Sequence, residues 1–82
     1  MKILVDVFVP VIMEHFDVLI PDFISVKEAT VLISKAVEET TNKIYVGAGN
    51  ETLCFSEKNI VLDLNKSIKS FDIKNGDHLL LI

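Results

Sequence analysis

The hydrophobic period of this chain changes once, and that change limits the folds open to it. Residues 2–9 alternate, with Ile3, Val5, Val7 and Val9 on one side and Lys2, Leu4, Asp6 and Phe8 on the other. Alternation of β-branched residues marks a strand with one buried face. Pro10 lacks an N–H to donate and ends the run. A second run sets Phe16, Val18 and Ile20 against His15, Asp17 and Leu19, and closes at Pro21. Two such runs with a short connection predict an antiparallel hairpin. The period then becomes helical. Ser25-Val26-Lys27-Glu28 is a capping box, in which hydroxyl and carboxylate satisfy N–H groups left unpaired at a helix start. Val26, Ala29, Leu32, Ile33, Ala36 and Val37 follow at helical spacing and form one stripe roughly 140° wide. A helix from residue 26 to about residue 41 is expected. Lys27, Thr30, Ser34, Lys35, Glu38 and Glu39 are expected on its solvated side, with Lys35 and Glu39 spaced to pair.

The remaining segments are shorter. Residues 43–51 read as a loop whose Tyr45 packs onto the fold, because Gly47-Ala48-Gly49-Asn50 is loop chemistry. Strands are predicted at 52–55, 60–62 and 78–82, with turns at 56–59 and Asn75-Gly76 and a helical turn at 67–71. The order is β-β-α-β-β-β. A helix with one apolar stripe must cover one face of a sheet. The last strand is expected to pair parallel with the first at the sheet centre. The predicted class is α+β: a β-grasp with a mixed five-strand sheet packed on one main helix, a single domain over residues 1–82.

Charge narrows the partners. The net charge is −4, and all eight basic residues are scattered lysines. Nucleic-acid binding needs a clustered basic stripe, and an anionic membrane surface makes the same demand. Neither partner is expected. No apolar run approaches the ~20 residues of a bilayer span, so direct membrane insertion is not expected either. Asp6 and Pro10 break the signal-peptide character of the opening residues. The lone Cys54 suits a reducing compartment. A cytoplasmic protein is expected.

Chemistry-bearing residues are few. Alternation places Cys54 and His78 on the sheet face away from the helix, on strands that neighbour one another in a β-grasp. A thiol–imidazole pair is a potential nucleophile, yet an open sheet face supplies neither oxyanion donors nor a pocket. No catalytic activity is expected. His15 and His78, with Glu14, fall short of a metal-ligand pattern. Gly47-Ala48-Gly49-Asn50-Glu51 lacks the spacing of a phosphate or dinucleotide loop. No cofactor is expected. The outer sheet face is the stronger candidate. Leu4, Phe8, Leu19, Cys54, Leu80 and Ile82 should share it with Lys2, Asp6, Asp17 and His78. That reads as an apolar protein-contact patch with a charged rim. Val11-Ile12-Met13 at the hairpin tip is a second candidate contact, with sealing of the core end as its alternative role.

The core spacing resembles that of ubiquitin: Ile3 and Val5; Phe16, Val18 and Ile20; Val26, Ala29 and Ile33; Leu53 and Phe55; Leu62, Ile68, Ile73, Leu79 and Leu81. Leu53-Cys54-Phe55, the run from Ile60 to Ile68 and the run from Phe71 to Leu79 with its Asn75-Gly76-Asp77 close are similar to the bacterial YukD/EsaB family. That resemblance spans essentially the whole chain. It implies an accessory adaptor of type VII (WXG-type) secretion in Gram-positive bacteria, binding a protein partner such as the membrane ATPase and peripheral to the membrane through it. A stand-alone ubiquitin-like interaction module or homodimer unrelated to secretion is the alternative. Ubiquitin and the sulfur carriers end in a flexible Gly-Gly tail that lets an activating enzyme close around the backbone. This sequence ends at Ile82, so a modifier or carrier role is the least expected.

Overall fold

The structure is a computed structural model describing residues 1–82. Its elements are β1 (Lys2–Val9), β2 (Glu14–Pro21), α1 (Val26–Thr40), β3 (Leu53–Phe55), β4 (Ile60–Val61) and β5 (His78–Leu81). Short 3-10 turns at Pro10–Ile12, Ser56–Lys58 and Ile68–Phe71 join them. The five strands form one sheet in the order β2-β1-β5-β3-β4. β1 pairs antiparallel with β2 and parallel with β5, so the first and last strands lie in the interior of the sheet as expected. The Asn75-Gly76 turn feeds this pairing. Gly76 takes a positive φ of 87°, which a side chain would resist. Its N–H donates to the Leu4 carbonyl at 2.8 Å, and the Leu4 N–H donates to Asn75 Oδ1 at 2.8 Å.

The helix lies across one face because its stripe and the inward rows of the strands are the largest apolar surfaces available. Val5, Val7 and Val9 of β1, Ile20, Leu53, Leu79 and Leu81 meet Val26, Ala29, Ile33 and Val37 of α1 in one core of seventeen residues. Each aliphatic side chain sealed this way contributes roughly 1.5–3 kcal/mol. Tyr45, Leu62, Ile68 and Ile73 close the core from the connecting segments. The helix start is fully partnered. Ser25 and Glu28 form the expected capping box, and the Val26 and Lys27 N–H groups donate to the carbonyls of Lys66 and Leu64 at 2.8 and 3.1 Å.

The second side of the helix departs from expectation. Thr30 and Ser34, read as solvated, are buried, while Leu32, read as core, is 47% exposed. At Ser34 the cause is the 43–51 loop. Tyr45 folds down as expected, but Gly47 also closes on the helix so tightly that an added Cβ would sit 2.3 Å from Ser34 Oγ. The helix is therefore covered on a second side, and its solvent-facing arc rotates toward Val31 and Leu32. Thr30 satisfies its hydroxyl by donating to the Val26 carbonyl at 2.8 Å. No ion pair joins Lys35 to Glu39; the ion pairs lie elsewhere. Strand limits shift by a residue or so. Thr52 and Ile82 exchange both backbone hydrogen bonds just beyond β3 and β5, and Leu62 still donates to the Leu53 carbonyl beyond β4.

Candidate protein-contact face

The register assigns each outward side chain to a row. Leu19 of β2 stands opposite Leu4 of β1. One pleat along, Asp17, Asp6 and His78 stand side by side on β2, β1 and β5. One pleat further, His15, Phe8, Leu80, Cys54 and Val61 form a row across all five strands. Ile82 lies beyond them at the end of β5. The sequence reading put Asp6, Asp17 and His78 at the edge of an apolar patch. They instead form a polar stripe through its middle, because strict alternation puts residues 4, 6 and 8 in consecutive rows whatever their chemistry. Leu4 and Leu19 are exposed on one side of the stripe; Phe8, Leu80 and Cys54 are half-buried on the other.

The stripe is chemically linked. His15 Nδ1 lies 3.1 Å from Asp6 Oδ1, and its ring packs on Phe8 with centroids 4.5 Å apart. His78 Nε2 lies 3.5 Å from Asp6 Oδ2. His78 Nδ1 lies 2.6 Å from Glu57 Oε2, and Glu57 also accepts the His78 backbone N–H at 2.9 Å. The Glu57 hydrogen bond raises the His78 pKa above its ordinary value, with the Glu57 and Asp6 charges adding to it. The same bond lowers that of Glu57. Asp17 has no cation within ion-pair distance. Glu57 was missed in the sequence because it sits in the turn Ser56–Lys58, where no period reports direction. Val61 was missed too, although its alternation with buried Leu62 was the available signal.

Cys54 and His78 sit on adjacent strands but in different rows. Cys54 faces Leu80, and no hydrogen bond joins its thiol to His78, whose two ring nitrogens are turned to Glu57 and Asp6. The only carboxylate that His15 and His78 share is that of Asp6, and no group of three or more His, Cys, Asp and Glu has metal-holding geometry. The hairpin tip divides: Val11 and Met13 project into solvent, while Ile12 packs against the core.

A groove of about 500 Å³ runs between the helix and the β4 edge of the sheet, with Val31, Val61, Leu62 and Leu64 among its walls. Two of its carboxylates, Glu38 and Glu51, are paired internally. Gly47 N–H donates to Glu38 Oε2 at 2.7 Å, and the Ala48 and Gly49 N–H groups donate to the Glu51 carboxylate. Burial pushes the Tyr45 phenol up. The Gly47–Glu51 loop, which lacks the spacing of a phosphate loop, turns these N–H donors onto the chain's own carboxylates.

No protein-family model matches the sequence. No curated protein sequence matches it at a significant level. Solved structures do match. The ubiquitin-like domain of EccD5 from Mycobacterium xenopi superposes with a TM-score of 0.80 at 18% identity, over 100% of this chain and 93% of that one. The fold is ubiquitin-like. A chain of the MycP5-free ESX-5 inner membrane complex gives 0.79 at 21% identity, with this chain spanning 99% of its own length and 20% of that chain. A ubiquitin-like domain from Arabidopsis thaliana gives 0.75 at 20% identity, over 99% of this chain and 76% of that one. No helix is long and apolar enough to cross a membrane.

Proposed function

We propose that this chain is a non-catalytic, protein-binding adaptor of a bacterial type VII secretion system, of the YukD/EsaB kind. It would act in the cytoplasm and reach the membrane through its partner, the secretion ATPase or another component of the machine. The observation that carries the reading is its near end-to-end superposition on the EccD5 ubiquitin-like domain. The sequence resemblance to YukD/EsaB points the same way. The outer sheet face is the proposed docking surface, with Phe8 and Leu80 as anchors beside the polar stripe.

The test is a binding measurement between purified protein and the purified cytosolic part of the type VII ATPase from the same cell. Wild type should bind saturably. Leu80→Asp should lose binding at least tenfold while its thermal midpoint stays close to wild type. Equal binding by the two would remove the outer face from the proposal. Unimpaired export of WXG substrates after deletion of the gene would remove the secretion assignment.

A further inference from the structure

The polar stripe on the outer face is out of charge balance, and the imbalance specifies what docks there. Asp6 on β1, Asp17 on β2 and Glu57 in the turn after β3 face this surface, with Asp77 close behind His78. β4 adds only Val61 and β3 only Cys54. The permanent cation on the same face is Lys2, two pleats from Asp6 along β1, roughly 13 Å away. The counter-charges within reach are the imidazoles of His15 and His78, which are charged only when protonated. With the imidazoles uncharged, the face carries an anionic row between two apolar strips, Leu4 with Leu19 and Phe8 with Leu80. A wholly apolar partner would bury Asp17 with no partner, and Asp6 and Glu57 with imidazoles as their side-chain partners, which is costly. A second copy of this chain would bring three more carboxylates.

We infer that the outer face is built for a basic polypeptide segment, one that lays an Arg or Lys along the Asp17–Asp6–Glu57 row and places an apolar side chain on each side of it. The inference rests on the outer face being the docking surface. The three rows are consecutive along β1, so an extended segment meets them with every second residue: apolar, basic, apolar. Arg suits the row better than Lys because its planar fork engages carboxylates bidentately. His15 and His78 occupy the same carboxylates, so they compete with the incoming cation. For His78 the competition strengthens as the ring gains its proton, and its raised pKa brings this on at higher pH.

The test uses the full-length chain, labelled with nitrogen-15, and two synthetic probes, acetyl-Leu-Ser-Arg-Ser-Leu-amide and the same peptide with Glu in place of Arg. Amide shifts are followed during titration at constant low salt, at about pH 7.5 and about pH 5.5. The Arg peptide should give saturable shifts centred on Asp6, Asp17 and His78, at least fivefold larger than the Glu peptide, and weaken at least threefold at the lower pH. Asp6→Asn and, separately, Asp17→Asn should each reduce the response. Equal shifts with both peptides at this face would overturn the basic-partner inference while leaving the docking surface intact. Shifts by neither peptide, shifts elsewhere on the molecule, or a concentration-dependent dimer in sedimentation that Leu80→Asp abolishes would overturn it as well.

Discussion

β1 and β5 run side by side and give opposite chemistry to their two faces. Inward, Val5, Val7, Leu79 and Leu81 are sealed from water. Outward, on the same backbone, Asp6, Phe8, His78 and Leu80 are half-buried or exposed. The inner rows are held by the transfer of aliphatic surface out of water, so their chemistry is dictated by the fold. The outer rows hold carboxylates and imidazoles at their centre, which a core would not accommodate. Inner positions should therefore govern stability and outer positions binding. Leu79→Ala gives the largest test of that division. It opens a cavity at the sheet centre and should cost about 2–5 kcal/mol in urea unfolding. Leu80→Ala, one residue on, should cost about 1 kcal/mol or less. Similar losses would abolish the distinction between the faces.

The helix offers the same comparison on a smaller scale. One side packs on the sheet and the other under the 43–51 loop, where Gly47 leaves no room for a methyl group above Ser34. Gly47→Ala should destabilise by about 1–3 kcal/mol through overpacking. Adding Ser34→Ala removes the oxygen in the way and should return part of that loss. A double-mutant cycle reads the coupling directly. Additive losses would mean that the loop does not press on the helix at that point. At the helix start, Ser25→Ala removes the cap to the Glu28 N–H and should cost about 1 kcal/mol. The neighbouring Val26 and Lys27 N–H groups keep their bonds to the carbonyls of Lys66 and Leu64, which limits the damage.

The contrast between the faces also marks what the sequence made legible. Alternation in residues 2–9 and 16–20 and the stripe from Val26 to Val37 were enough for the strands, the helix and the central position of the last strand, because burial imposes a period. The outward residues followed from the same alternation. Their grouping did not, because which residue of β2 stands opposite Asp6 depends on the length of the hairpin connection. That register puts the charges in the middle of the face and lets Asp6 meet His15 and His78 together. Glu57 arrives from a turn, and the burial of Ser34 is imposed by a loop closing through a glycine. In each case the contact is made by a segment with no period of its own.

The smallest predicted effect concerns the link between Glu57 and His78, and it separates the faces by their response to pH. His78 is raised above its ordinary 6.5, so its stabilising contribution is complete below that value and is lost as pH rises through the raised pKa. Glu57 is lowered below its ordinary 4.5, so its contribution is complete above 4.5 and is lost as pH falls through the lowered pKa. The two overlap between 4.5 and 6.5. The melting difference between wild type and Glu57→Gln should be widest in that interval and shrink as pH rises above it. Because the pair lies at the surface, about 1 M salt should also narrow the difference. The deficit of Leu79→Ala has no titrating partner and should be the same at pH 5.5 and pH 8, within about 0.5 kcal/mol. A Glu57→Gln difference that is flat with pH would show that the carboxylate does not hold His78. The outer stripe would then lose the link that joins its turn to its strands.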